Sequence, residues 1–201
     1  MGKAIIIQGT PGTGKSTIAE RLSKKLGIKH IDISRLVIEE KLYVEVDRER
    51  SDSKVANIDK LTEKIVNILE NSGKDVIVEG HYADIIPEKY VKKAIIIRLH
   101  PEILEKRLRM RGWSEKKVRE NVLSEALDEC LISALQTYGI DKVVEIDATN
   151  KNVEEILREI LDELEGKNRK HVPGRIDWLK IIEAEGKLEE FLKRYSKIRE
   201  E

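Results

Sequence analysis

The sequence has little sulfur, few aromatic residues and no excess of either charge. Its single cysteine, Cys130, cannot form an internal disulfide, which is typical of a reducing compartment. Basic and acidic residues both number 38, and this balance argues against a general nucleic-acid or membrane-surface binder. No apolar run approaches membrane-spanning length, and a glycine-rich turn, not a signal-peptide cleavage site, follows the short run Ala4–Ile7. These absences predict a soluble cytoplasmic protein.

Short apolar runs alternate with helical patterns along the chain. Five runs are predicted strands: Lys3–Gln8, Lys29–Ile33, Asp75–Val78, Lys93–Leu99 and Lys142–Asp147. Near-continuous apolar strands separated by helices are typical of a parallel sheet that is covered on both faces. We therefore predict one α/β domain over residues 1–166, built on a doubly wound five-stranded parallel sheet.

Helical spacing covers much of the remaining sequence. It predicts helices over residues 17–26, 34–43, 58–71 and 115–138, one beginning at Pro101, and one from the last strand to about residue 164. Residues 167–175 are basic and contain Gly and Pro, which predicts a linker. Residues 176–201 are predicted to form an amphipathic helical extension that either packs back on the core or binds a partner.

One segment matches a phosphate-binding pattern without a gap. Gly9–Ser16, written GTPGTGKS, fits G-x-x-x-x-G-K-[ST] between a predicted strand and a predicted helix. Gly12 and Gly14 let backbone N–H groups wrap around a phosphate, and the helix directs its positive end at the anion. Lys15 would then meet the β- and γ-phosphates, and the Ser16 hydroxyl would coordinate Mg²⁺. The pattern predicts a nucleoside triphosphate site.

The stretch VIVEGH delivers an acid and a histidine at the end of a predicted buried strand. Ligands of parallel α/β sheets bind beyond the carboxyl ends of the strands. Glu79 is therefore a candidate for holding Mg²⁺ or acting as a base, and His81 for orienting a water or hydroxyl near the γ-phosphate. A capping or surface glutamate and a solvated loop histidine are the alternatives.

Three arginines lie close together before Gly112: Arg107, Arg109 and Arg111. Phosphoryl transfer spreads negative charge that arginines stabilise, and Arg111 beside the glycine is the best candidate for a lid over the nucleotide. Positions i and i+2 of a helix point in different directions, so at least one of the other two arginines is expected to be solvated. Arg98, at the end of a predicted strand, either faces the site or forms an ion pair.

These motifs together resemble one family. GTPGTGKST, VEGH, EEKLY at Glu39–Tyr43 and RLRMRGWSEKKVREN are similar to the adenylate kinase isoenzyme 6 type, and the resemblance covers roughly residues 1–165. That family comprises the nuclear ATPase and ribosome-assembly factor of eukaryotes and its archaeal counterparts. The resemblance implies a P-loop NTPase fold with a monophosphate-binding region around residues 32–55 and a lid around residues 110–120. It implies a broad nucleoside monophosphate kinase with ATPase activity that uses ATP and Mg²⁺.

The resemblance also assigns roles to individual residues. Lys15, Glu79, His81 and Arg111 would be catalytic, and Ser16 and Glu79 would hold the metal. Lys151, after the segment DATN, falls where the family contacts the nucleotide base. The residues that would bind ATP are Gly12, Gly14, Lys15, Ser16, Thr17 and Arg111.

Two positions depart from the family pattern. The family often has aspartate where Glu79 stands, and monophosphate kinases usually carry an arginine at the position of Ile38, whereas Arg35 lies one turn earlier here. The resemblance implies a role in late small-subunit ribosome maturation and rRNA processing, with transient binding of a platform ribosomal protein but no direct nucleic-acid binding. Two other functions stay open: an ATP-switched assembly factor with little kinase activity, or another small-molecule kinase, such as a shikimate or coenzyme A precursor kinase.

Overall fold

Five parallel strands form the central sheet of the protein. The computed structural model describes residues 1–47, 53–167 and 171–195. Within them the sheet has the order β2-β5-β1-β6-β7, which confirms the predicted doubly wound five-stranded sheet of a P-loop nucleoside-monophosphate-kinase-like fold. The strands are β1 Ala4–Gln8, β2 Lys29–Asp32, β5 Val76–Gly80, β6 Val91–Arg98 and β7 Val143–Asp147. All side chains of β1 and β5 are buried, as apolar runs covered on both faces require.

The strand register brings the polar ends of three strands together. Gln8 at the end of β1 pairs with Gly80 of β5, and Asp32 at the end of β2 pairs with Glu79 of β5. The strand β5 runs two residues further than predicted, so Glu79 lies inside the strand and not after it. The carboxylates of Asp32 and Glu79 therefore lie near the loop after β1, at the carboxyl ends of the strands.

Helices cover both faces of the sheet. One apolar core contains side chains of α1, α4, α5, α7, α8 and α9, and the other contains side chains of α2, α3 and α6. Among residues 1–47, 53–167 and 171–195, no helix has the length and apolar character needed to cross a membrane. The helices are α1 Lys15–Leu26, α2 Ile33–Glu39, α3 Ile58–Glu70, α4 Pro101–Met110, α5 Glu115–Ala126, α6 Glu129–Tyr138, α7 Val153–Leu164, α8 Trp178–Ala184 and α9 Leu188–Tyr195.

The long helix predicted over residues 115–138 is wrong, because the chain breaks between α5 and α6. Asp128 adopts a left-handed conformation with φ 60°, which ends the regular helix geometry. Aspartate tolerates this conformation better than most residues, and the Asp128 carboxylate is held by the Arg98 guanidinium. Helical spacing continues through the break, so the pattern alone could not reveal it.

The predicted helix over residues 34–43 is also too long. Helix α2 ends at Glu39, Lys41 has a φ of 54°, and an antiparallel pair follows, formed by β3 Tyr43–Asp47 and β4 Ser53–Ala56. This hairpin was not predicted and lies in the proposed monophosphate-binding region. Residues 48–52 of that predicted region fall outside the described residues.

The C-terminal segment packs against the core through two short helices. Trp178 and Ile182 of α8 and Phe191 of α9 are all buried. Ahead of α8, the chain follows β7, where the backbone N–H of Glu145 donates to the carbonyl of His171 at 3.2 Å. The packed-back arrangement is therefore the one observed. Residues 168–170 of the predicted linker and residues 196–201 of the predicted extension lie outside the described residues.

Candidate active site

The loop between β1 and α1 has the backbone shape of a phosphate cradle. Gly12 and Gly14 have φ values of 99° and 103°, a region that side-chain-bearing residues rarely adopt. A Cβ on Gly12 would lie 2.8 Å from Leu104 Cδ1, so only glycine fits. The Thr13 hydroxyl donates to the Thr10 carbonyl at 2.9 Å and closes the loop. No side chain caps the start of α1, so its first N–H groups are directed at the space where an anion would bind.

Lys15, Ser16, Asp32 and Glu79 gather at the mouth of this loop. Glu79 is only 2% exposed, and burial raises its pKa to about 7; the Ser16 hydroxyl and the Lys15 ammonium oppose the shift, while Asp32 adds to it. Burial lowers the pKa of Lys15, and the Glu79 carboxylate opposes that change. The carboxyl groups of Asp32 and Glu79 and the Lys15 ammonium are thus close together in a partly buried site. Asp32 was not predicted, although its position after an apolar run parallels that of Glu79.

The oxygen atoms in this cluster fit a hard cation such as Mg²⁺. Glu79 Oε2 is buried and has no hydrogen-bond partner among the described residues, and the Ser16 hydroxyl and the Asp32 carboxylate neighbour the same carboxyl group. The described part of the chain contains no group of three or more His, Cys, Asp or Glu side chains that could hold a metal alone. Magnesium suits such a site, since it takes most of its ligands from water and substrate phosphates.

His81 lies on the other side of the phosphate loop, at the end of β5. Its Nδ1 is 3.4 Å from the carbonyl oxygen of Gly9 and 3.3 Å from Cys130 Sγ. Burial lowers the pKa of His81, and the nearby Lys15 ammonium lowers it further. The imidazole is therefore neutral near pH 7. Cys130 itself is buried on α6.

The three arginines before Gly112 have different surroundings. Arg107 Nη1 lies 3.4 Å from the carbonyl oxygens of Gly12 and Thr13. Arg111 is exposed at the end of α4 and close enough to Lys15 to lower the pKa of its ammonium. Arg109 pairs with the buried Glu105 at 3.1 Å and with the exposed Glu115 at 2.6 Å, and has no hydrogen bond or ion pair with the loop among the described residues. The sequence favoured Arg111 and gave no means of choosing Arg107 over Arg109.

A cavity of about 250 Å³ opens beside the phosphate loop. Its lining includes Gly14, Arg107, Arg111, Lys151 and Ile156. The Lys151 ammonium is held 2.7 Å from the Glu159 carboxylate. The walls combine apolar surface with cations, as a nucleotide site would require. Lys151 therefore lines the same cavity as the phosphate loop, and its contact with a nucleotide base stays a prediction.

Two larger cavities flank the loop. One of about 490 Å³ is lined by Pro11, His81, Tyr82, Trp113, Lys117 and Asn121, among others. The second, of about 790 Å³, lies beyond the edge strand β2 and is lined by Ser16, Asp32, Arg35, Glu39 and Lys64, among others. The first cavity reaches Pro11 of the phosphate loop, and the second reaches Ser16 and Asp32 beside Glu79.

Arg98 takes no part in this site. Its guanidinium is 1% exposed and lies 2.8 Å from Glu125 and 2.5 Å from Glu145, and it also pairs with Asp128. Burial opposes the charge of Arg98, but the three carboxylates raise its pKa above the ordinary value. The ion-pair alternative for Arg98 is therefore the observed one.

Fold and site together define the class of this protein, a nucleoside-monophosphate-kinase-like P-loop enzyme. A family model described as an AAA domain matches residues 5–128. The chain is 43% identical over 174 residues to a "putative adenylate kinase" of Methanocaldococcus jannaschii, covering 87% of this chain and 92% of the relative. A protein of Pyrococcus furiosus with the same description is 36% identical, covering 89% and 93%. The chain belongs to this archaeal adenylate-kinase-like family of ATP-dependent phosphotransferases.

Solved structures support the same fold at low sequence identity. Shikimate kinase from Acinetobacter baumannii in complex with shikimate is similar with a TM-score of 0.61 and 11% identity, covering 85% of this chain and 97% of that one. Thymidylate kinase from Candida albicans has a TM-score of 0.54 and 18% identity, covering 83% and 92%. At these identities the likeness concerns the fold alone.

Proposed function

We propose that this chain is a broad nucleoside monophosphate kinase that moves the γ-phosphoryl group of ATP to an AMP-type acceptor, with water as a competing acceptor. The observation that carries the proposal is the cluster of Lys15, Ser16, Asp32 and Glu79 around a buried carboxylate oxygen without a partner. The adenylate kinase descriptions of the archaeal relatives support AMP as the acceptor.

The residues around the loop have different roles in phosphoryl transfer. Backbone N–H groups of the loop and the Lys15 ammonium hold the β- and γ-phosphates. Arg107 and Arg111 balance the negative charge that develops on the transferred group. Ser16, Glu79 and Asp32 would hold Mg²⁺, which neutralises phosphate charge when bound. Lys151 would line the nucleotide-base site.

His81 orients the group that attacks the γ-phosphate. Its Nδ1 faces the Gly9 carbonyl, and with Nδ1–H donating there, Nε2 accepts a hydrogen bond from a water or an acceptor oxygen. The cavity of about 490 Å³ that His81 and Tyr82 line has room for an attacking water, and the cavity of about 790 Å³ beside Asp32 and Arg35 has room for an acceptor monophosphate. This arrangement suits both transfer and hydrolysis.

The test compares phosphoryl acceptors with purified protein, ATP and Mg²⁺. AMP, CMP, GMP, UMP and water alone are supplied in parallel, and nucleoside diphosphate formation is followed. We expect at least one monophosphate to give diphosphate above the water rate, and Lys15→Ala to lower the rate by at least about 100-fold. Lys24→Ala is the matched control, since Lys24 is exposed on the same helix and pairs with Glu20. No diphosphate above the Lys15→Ala level contradicts the kinase assignment.

A second candidate is an ATP-switched factor of small-subunit ribosome maturation. Ile38 stands where monophosphate kinases usually carry an arginine and is 55% exposed, while Arg35 is paired with Glu39 at 2.6 Å. Both observations favour weak binding of the acceptor phosphate. This function would use transient contact with a platform ribosomal protein in the cytoplasm. Pull-downs with and without ATP, and ATP turnover with added platform protein, test it; no recovery and no change in turnover count against it.

The third candidate, another small-molecule kinase of this fold, needs only a wider acceptor panel. Shikimate and coenzyme A precursors are added to the same assay under the same conditions. Phosphorylation of one of them at a rate above that of every monophosphate would replace the monophosphate kinase proposal.

A further inference from the structure

The chain ahead of α8 is held by a carboxylate of the central sheet. The backbone N–H groups of Gly174 and Arg175 donate to Glu145 Oε2, at 2.9 Å and 3.2 Å. The other oxygen of this carboxylate accepts from the Arg98 guanidinium at 2.5 Å. The path of the C-terminal segment is therefore fixed by hydrogen bonds to a buried acid, in addition to apolar packing.

Trp178 of the C-terminal segment contacts a second buried acid, Glu125. Its indole N–H donates to Glu125 Oε1 at 3.1 Å, and the ring is 2% exposed. The ring packs edge-on against His100, with centroids 5.4 Å apart, and the Arg98 guanidinium carbon lies 5.8 Å from the ring centroid. The same Glu125 oxygen also accepts from Arg98 Nε at 2.8 Å.

The other oxygen of Glu125 holds the phosphate loop. Thr10 Oγ1 donates to Glu125 Oε2 at 2.6 Å, and both side chains are buried. The Thr10 carbonyl in turn accepts from the Thr13 hydroxyl inside the loop. The Glu125 carboxylate is thus hydrogen-bonded both to helix α8 of the C-terminal segment and to the loop that would receive the phosphates of ATP.

We infer that Trp178 is a positioning residue for the phosphate loop, acting through Glu125 and Thr10. A buried carboxylate keeps one orientation only while its donors are in place. Glu125 Oε1 has three donors, since the Leu99 backbone N–H (3.1 Å) and Arg98 Nε donate to it together with the indole. Loss of the indole N–H lets the carboxylate shift toward the two donors that remain, and the Thr10 hydroxyl then loses its acceptor geometry. The phosphate loop would then populate its phosphate-binding conformation less often. The inference rests on the ATP side of the proposed function and needs no assumption about the acceptor.

The first experiment is Trp178→Phe in the full chain, which keeps an aromatic ring and removes the N–H. The dissociation constant of Mg²⁺·ATP is measured by calorimetry, and the melting temperature by circular dichroism. We expect binding to weaken about five- to tenfold, the net size of one ordinary hydrogen bond, because two other donors still hold the Glu125 oxygen. Phe191→Leu is the matched control: Phe191 is buried on α9 in the C-terminal segment, so it should lower the melting temperature and leave ATP binding unchanged.

The second experiment is a double-mutant cycle with Thr10→Val, which removes the hydroxyl at nearly constant volume. If both residues act through Glu125, Thr10→Val weakens ATP binding and the Trp178→Phe effect shrinks in its presence. Thr10→Ser, which keeps the hydroxyl, should recover most of the affinity that Thr10→Val loses.

Two results would overturn the inference: unchanged ATP binding in folded Trp178→Phe, or strictly additive effects in the cycle. If Trp178→Phe fails to fold, equal ATP binding in Thr10→Val and Thr10→Ser would overturn the inference instead. A protein that binds ATP but phosphorylates no monophosphate would fail the proposed function and still give a clear answer here.

Discussion

Glu79 shows how its neighbours change the chemistry of one carboxyl group. In the sequence it is the acid that ends an apolar run, and in the sheet it lies against Asp32 of the adjacent strand. Burial raises its pKa to about 7, and one oxygen has no partner. Without a cation the site therefore favours the protonated acid, whereas a bound cation would favour the carboxylate.

The effect of Glu79 on stability should depend on pH in metal-free, nucleotide-free buffer. Because its folded-state pKa is raised from 4.5 to about 7, its protonated form stabilises the fold below pH 4.5 and this contribution is lost as pH rises to 7. Relative to Glu79→Gln, the wild-type unfolding free energy should fall by on the order of 3 kcal/mol across that range. Urea unfolding at several pH values measures it; parallel curves for the two proteins would contradict the shift.

Cys130 should be inert in the native protein at ordinary pH. Burial raises the pKa of its thiol from 9.0 to about 12, so the thiolate fraction near pH 8 should be roughly a thousandth of that of a free thiol. Iodoacetamide at pH 8 should label the native protein at less than about one hundredth of the rate seen in 6 M guanidinium. Mass spectrometry follows the reaction, and rapid labelling of the native chain would show that the thiol is not shielded.

At the scale of an element, strand β6 ends in a cation that joins three parts of the chain. Arg98 meets Glu125 of α5, Asp128 at the α5–α6 break and Glu145 of β7. The break between the helices places Asp128 within reach of the guanidinium. Burial raises the pKa of both Asp128 and Glu145, and Arg98 opposes this. The Arg98 guanidinium is therefore required to stabilise Asp128 and Glu145 whenever these acids are charged.

Arg98→Met should be strongly destabilising near pH 7. It leaves three carboxylates, two of them buried, without their cation, which costs about 3–5 kcal/mol of unfolding free energy. Arg109→Met is the comparison, because Arg109 is 42% exposed and its buried partner Glu105 keeps a second cation, Arg194, at 2.7 Å, so its loss should cost no more than about 1 kcal/mol. Denaturant unfolding at pH 7 measures both, and similar costs would show that burial does not set the energy of the Arg98 pairs.

At the scale of the whole molecule, the proposed ATP site is assembled from distant segments. The phosphate loop follows β1, Glu79 comes from β5, Arg107 and Arg111 from the end of α4, and Lys151 from the loop before α7. Each segment also packs into the apolar cores on the sheet. Binding of a nucleotide is therefore coupled to the stability of the entire domain.

Mg²⁺·ATP at 100 times its dissociation constant should stabilise the protein by about 2.7 kcal/mol, because it binds only the folded state. For a chain of this size the melting temperature should rise by roughly 5–10 °C. Lys15→Ala should show a much smaller rise at the same concentration. Thermal unfolding with a non-hydrolysable ATP analogue avoids turnover, and an equal rise in both proteins would place the nucleotide outside the phosphate loop.

Local patterns predicted most of the fold but not its breaks. Apolar runs predicted all five strands of the sheet, and the glycine–lysine pattern predicted the loop before α1. The end of α2, the hairpin of β3 and β4 and the left-handed Asp128 were missed. Helical spacing continues through the end of α2 and through Asp128, and the Asp128 carboxylate is held by Arg98, 30 positions away.

The sequence by itself determined the phosphate loop, the doubly wound sheet and the presence of an acid at the end of β5. These follow from periodicity and from conformations that only glycine adopts, both of which are local properties. Only the tertiary structure decided that Asp32 lies beside Glu79, that Arg107 and not Arg109 reaches the loop, and that Trp178 meets Glu125. Thr10 and Glu125 are separated by 115 positions, and contacts of that range are set by how the layers pack, which no local pattern records.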